Sequence, residues 1–73
     1  MVAWDPKFIG GHLEIHNNSG SGRITAYSTT DNDKKEFCNA GMIVTDAWWQ
    51  GNEVYVKYHT GIVHRYYSWD NAH

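Results

Sequence analysis

Five histidines, one cysteine and scattered carboxylates are the residues here whose types could do chemistry, so their spacing comes first. His12 and His16 fall on one side of an extended segment, but lie roughly 13 Å apart along it. That is too far for one metal ion to join them. Neither Cys-x-x-Cys nor His-Glu-x-x-His spacing occurs, so no zinc site is expected. A thiol or serine nucleophile needs a base beside it and a third group to orient that base. No local pattern supplies this for Cys38, which reads as a free buried thiol. The paired carboxylates Asp31 and Asp33 sit in a polar stretch, and SGSG precedes a strand rather than opening a phosphate-binding helix. The expectation is a protein without catalytic residues, cofactor or metal.

What remains is an aromatic and charged constellation within Met42–Trp69, MIVTDAWWQGNEVYVKYHTGIVHRYYSW, and three antiparallel strands must position it. Gly51-Asn52 is a two-residue hairpin signal, because glycine accepts the positive φ that such turns require. It sets Trp49 opposite Val54, Trp48 opposite Tyr55, Ala47 opposite Val56, Asp46 opposite Lys57 and Thr45 opposite Tyr58. His59-Thr60-Gly61 reads as a three-residue loop ending in a left-handed glycine. It sets Tyr58 opposite Ile62, Val56 opposite His64, Tyr55 opposite Arg65 and Val54 opposite Tyr66. A rival turn at Thr60-Gly61 would invert the last strand and set Arg65 beside Val56. Burying that guanidinium unpaired costs several kcal/mol, on the order of 3 or more.

Side chains alternate faces along a strand, so this register sorts them. One face carries Thr45, Ala47, Trp49, Val54, Val56, Tyr58, Ile62, His64 and Tyr66 and reads as the core, with His64 a hydrogen-bonded core histidine. The other carries Val44, Asp46, Trp48, Glu53, Tyr55, Lys57, Val63, Arg65 and Tyr67. Every charged residue of these strands falls on the second face. Trp48, Tyr55, Arg65, Tyr67, Asp46 and Lys57, with Trp69 at the rim, form the candidate binding face. Trp48, Tyr55 and Arg65 fall in one row, within reach for stacking and cation–π contact.

The remaining chain supplies two further strands. Residues 1–7 read as an N-terminal arm with Trp4 as an anchor and a turn at Asp5-Pro6. His12–His16 alternates polar and apolar, with Leu13 and Ile15 inward. Asn17–Gly22 (NNSGSG) reads as a hairpin loop and Arg23–Thr29 as a strand, its inward residues Ile24, Ala26 and Ser28 or else Arg23, Thr25 and Tyr27. Thr30–Glu36 reads as a solvated connection. Residues 31–40 could form a short helix or continue as a loop, and both readings stay open. The tail at 70–73 is expected to fray. The fold class is therefore all-β, a five-stranded antiparallel meander curled into a small open barrel.

At 73 residues the chain is one small domain, and a domain this short has a marginal core. A single cysteine excludes an intramolecular disulfide, leaving aromatic packing or a partner subunit as support. Four Trp and five Tyr supply the first. The net charge of −2 offers no basic cluster to a phosphate backbone, so nucleic acid is not an expected partner. MVAWDPKFIGG has no basic region followed by an apolar run, and no segment approaches membrane-spanning length. These features, with the lone cysteine, point to a cytoplasmic protein without membrane contact.

Residues 52–69, NEVYVKYHTGIVHRYYSW, resemble the strand–Gly–strand hairpin of small KTSR-type domains, which also end on paired aromatics. The basic motif that names those domains is absent, so the resemblance implies a hairpin and no function. The functional expectation is a non-enzymatic interaction module forming a homodimer or larger assembly, through this aromatic face or a strand edge. The alternative is a module whose Trp and Tyr side chains stack on a sugar or planar small molecule.

Overall fold

A computed structural model describes residues 4–38 and 41–68. Those residues form six strands in two antiparallel three-stranded sheets. The first sheet has the order β1 (Leu13–Asn18), β2 (Ser21–Tyr27), β3 (Lys34–Cys38). The second has the order β4 (Val44–Gln50), β5 (Glu53–Tyr58), β6 (Val63–Tyr66). The five-stranded meander and open barrel are thus corrected to six strands in two sheets, with no closed barrel among the described residues.

The connection expected at residues 30–36 is the source of the extra strand. Lys34–Cys38 pairs with β2, setting Phe37 opposite Ile24, and the described part of 31–40 contains no helix. Its charged residues Lys34 and Glu36 face solvent while Phe37 is buried. An edge strand of this composition looks like a loop, because charge is how exposed edges are guarded. The loop expected at 17–22 is also shorter than anticipated. β1 continues through Asn18, β2 begins at Ser21, and Ser19-Gly20 alone makes the turn.

In the second sheet both turns set the expected registers. Gly51 has φ +64° and Gly61 φ +90°, conformations that favour glycine. Trp49 pairs with Val54 and Trp48 with Tyr55, while Val54 pairs with Tyr66 and Val56 with His64. The departure comes at the start of β4, where a bulge between Val44 and Asp46 sets Val44, not Thr45, opposite Tyr58. Val44 is therefore buried and Thr45 exposed, the reverse of the expected faces. Polar side chains hold the bulge: Thr45 Oγ1 donates to the Lys57 carbonyl at 3.2 Å, and Asp46 Oδ1 accepts from the Ala47 amide at 2.9 Å.

Ten residues from both sheets and the N-terminal segment make one buried cluster: Trp4, Phe8, Ile24, Ala26, Phe37, Val44, Val54, Val56, Tyr58 and Tyr66. Trp4 does anchor the chain. Its ring lies 5.4 Å from Phe37 and 5.5 Å from Trp49, and its Nε1 donates to the Tyr66 carbonyl at 3.0 Å. One side chain thus ties β3, β4 and β6 together. Ile24 and Ala26 are the inward residues of β2, and Thr25 on its other face is buried too. Ile62 and His64 are exposed, so neither belongs to the core. Both stand at or beside the outer edge of the sheet, where no strand among the described residues covers them, and His64 stacks on Tyr66 at 4.6 Å instead. The tail at 70–73, expected to fray, lies outside the described residues, as do Trp69 and the Cys38 side chain.

The sheets meet along β1 and β4. Asn17 Nδ2 donates to the Val44 carbonyl at 2.9 Å, and Asn17 Oδ1 accepts from the Val44 amide at 3.0 Å. Its primary amide supplies the donor and acceptor that a neighbouring strand would supply. Gly22, opposite Asn17, makes this approach possible, since a Cβ there would stand 2.5 Å from Val44 Cγ2 and 2.8 Å from the Met42 carbonyl. Gly22→Ala is expected to cost about 1–3 kcal/mol by forcing the two sheets apart. A urea denaturation curve checks this, and an unchanged midpoint would show that the contact is soft.

Candidate functional site

The outer face of the second sheet gathers the six candidate residues much as the register requires. Trp48 and Tyr55 are half-buried and stack with ring centroids 6.0 Å apart and planes 13° from parallel. Arg65 is next in the row, opposite Tyr55. Its guanidinium carbon lies 5.6 Å from the centre of the Tyr67 ring, and its Nη1 lies 3.8 Å from Glu53 Oε2. The cation–π contact made is therefore with Tyr67. Asp46 and Lys57 are opposite one another and exposed. Two cations and two carboxylates balance on this face, so the aromatic row is framed by neutralised charge.

The edge beside this face is the feature that sequence reasoning left unspecified. Tyr58 N donates to the Ile62 carbonyl at 2.9 Å. Antiparallel pairs alternate between hydrogen-bonded and open, so Val56–His64 and Val54–Tyr66 are the bonded pairs that follow. The backbone N–H and C=O groups of Val63 and Arg65 therefore point away from β5, off the edge of the sheet. Val63, His64 and Arg65 are all exposed, and Ile62 and Val63 retain 55% and 47% of their surface. The signal was present in the strand count: the last strand of a meander has one unpaired side.

The other chemistry-bearing groups are engaged elsewhere. The spacing His-x-Glu-x-His, which sets alternate residues on one face, brings Glu14 between two partners that sequence reasoning did not connect. Glu14 Oε1 accepts from the Tyr27 hydroxyl at 2.9 Å and lies 3.0 Å from His16 Nε2. The hydrogen bond to this carboxylate holds the Tyr27 phenol above its ordinary pKa. His12 stacks on Tyr27 with ring centroids 5.5 Å apart. Lys7 Nζ bridges Asp31 and Asp33, and the Asp33 hydrogen bond raises the lysine pKa. The Asp33 amide, donating to Asp31 Oδ1 at 2.9 Å, holds the Asp31 carboxyl below its usual range. Burial and the Tyr66 hydroxyl 2.9 Å away push the Tyr58 phenol up. No group of three or more potential metal ligands occurs among the described residues, and no helix there is long and apolar enough to cross a membrane.

Comparison with family models, curated proteins and solved structures returned no match to this chain.

Proposed function

We propose that the chain is a non-enzymatic interaction module that self-associates through its second sheet. The observation that carries this reading is the state of β6. Natural sheets guard their edges with charge, proline, bulges or a covering element. The opposite edge of the same sheet, β4, is met by Asn17, and β3 carries Lys34, Lys35 and Glu36. β6 has Arg65 as its single charged guard and no proline, and it opens on the exposed Val63 with the exposed Ile62 just before it. The backbone groups of Val63 and Arg65 face outward beside a charge-balanced aromatic surface. Such an edge suits strand addition by a protein better than binding of a polyanion.

Light scattering over a wide range of concentration tests the reading. The mass is expected to rise from the 8.4 kDa of one chain towards that of a dimer. Val63→Lys, which places a charge on the edge, is expected to hold the mass at one chain. A parent chain that stays monomeric at the highest concentration removes the proposal.

The parallel Trp48–Tyr55 pair favours a second reading, in which a sugar ring or planar small molecule stacks on the face. That reading predicts quenching of Trp fluorescence on titration with such a ligand, lost in Trp48→Ala. Unchanged fluorescence across a panel of monosaccharides and planar aromatics would count against it.

A further inference from the structure

We propose that two chains pair antiparallel along β6 about a twofold axis at His64, joining two three-stranded sheets into one of six strands. This rests on the self-association reading and specifies its interface. The outward-facing backbone groups belong to Val63 and Arg65, so only registers that bring these residues into hydrogen-bonded pairs use the edge. Three twofold registers do so. Placing Arg65 opposite Arg65 sets like charges against each other, which is unfavourable in a cross-strand pair. Placing Val63 opposite Val63 sets Arg65 against Gly61, a turn residue with φ +90° outside the strand. Placing Val63 opposite Arg65 uses strand residues alone and leaves His64 facing its own copy across the axis.

In that register the exposed side chains of both faces gain cover. On the outer face Val63 of one chain lies beside the aliphatic stem of Arg65 of the other. The row Trp48–Tyr55–Arg65 then continues across the axis into Val63 and Lys57 of the second chain. Val63 separates the two cations, Arg65 and Lys57, along the row, and Asp46 faces Lys57 at its end. On the other face the two exposed His64 rings meet at the axis, and Ile62 of each chain reaches towards the partner strand. The aromatic face is not consumed by this pairing; it doubles in extent. No described residue of the chain makes a hydrogen bond to the outward groups of Val63 or Arg65.

The register predicts which cysteines can be cross-linked. Residues facing each other in an open antiparallel pair have Cα atoms about 4.5 Å apart, within disulfide range. In a Cys38→Ser background, His64→Cys is expected to form a disulfide dimer rapidly with diamide, and Val63→Cys to do so far more slowly. Faster cross-linking through Val63→Cys, or none from either variant while light scattering still shows a dimer, overturns the register and leaves self-association standing. No cross-link together with a monomer mass for the parent chain removes both. A measurement on the parent chain guards against effects of the substitutions. In a mixture of isotope-labelled and unlabelled protein, an Hα–Hα contact between the two His64 residues is expected, and its absence in a proven dimer overturns the register.

Discussion

Trp4→Ala is expected to leave most of the chain unfolded at room temperature. Large-to-alanine changes at a buried aromatic cost about 3–5 kcal/mol, from lost transfer energy and the cavity left behind. A single core in a domain of this size supplies only about 3–5 kcal/mol in total. Trp4 is 2% exposed and touches Phe37 and Trp49, so its cavity would open where the two sheets face each other. The Tyr66 carbonyl would also lose its indole donor. With one cysteine in the sequence, no internal disulfide holds the chain together while the core loosens. Near-ultraviolet circular dichroism of Trp4→Ala should be largely lost, and Trp4→Phe should retain part of the signal. A variant Trp4→Ala with a native spectrum and a urea midpoint close to the parent's would show that the sheets do not depend on this plug.

Asn17→Ala is the second large effect, because its side chain stands in for backbone pairing between the sheets. Removing it leaves the Val44 N–H and C=O without these two partners at a residue that is 2% exposed. Each buried group so orphaned costs about 1–3 kcal/mol, and partial access of water at the exposed Asn17 keeps the sum near about 2 kcal/mol. Asn17→Asp separates the hydrogen bonds from the packing. It keeps an acceptor for the Val44 amide but sets a carboxylate oxygen against the Val44 carbonyl, so it is expected to be no better than alanine. Hydrogen exchange at the Val44 amide should quicken more than exchange at Val54 and Val56 in β5. Uniform acceleration at all three would mean global destabilisation instead of opening at the seam.

The parts of the fold legible in the sequence are those fixed by short-range chemistry. Gly51-Asn52 and His59-Thr60-Gly61 dictate where the chain reverses, and each strand residue beyond them inherits a partner. That is why Trp48, Tyr55 and Arg65 share a row, and why Val54, Val56, Tyr58 and Tyr66 share the core. The register fails at Thr45 because nothing in VTDA marks a bulge as glycine would; the bulge is held by the side chains of Thr45 and Asp46 after folding. β3 was hidden for a different reason. In KKEF the buried residue is Phe37 alone, and the segment's local preference for helix or loop gives way to pairing with β2. The role of Asn17 is tertiary in the same sense, since a loop-like asparagine carries no mark of the strand its amide will complete. His64 reads as core by parity alone, and becomes exposed because β6 is the last strand of its sheet.

The parity that misleads at His64 is also what aims the Val63 and Arg65 amides off the sheet. Their exchange with solvent is the most direct test of the account. Measured by NMR on the parent chain at low and high protein concentration, both amides should become protected as concentration rises, while the Val54 and Val56 amides stay protected throughout. Protection at Val63 and Arg65 that does not change with concentration would contradict the claim that this edge is where the chain meets its own copy.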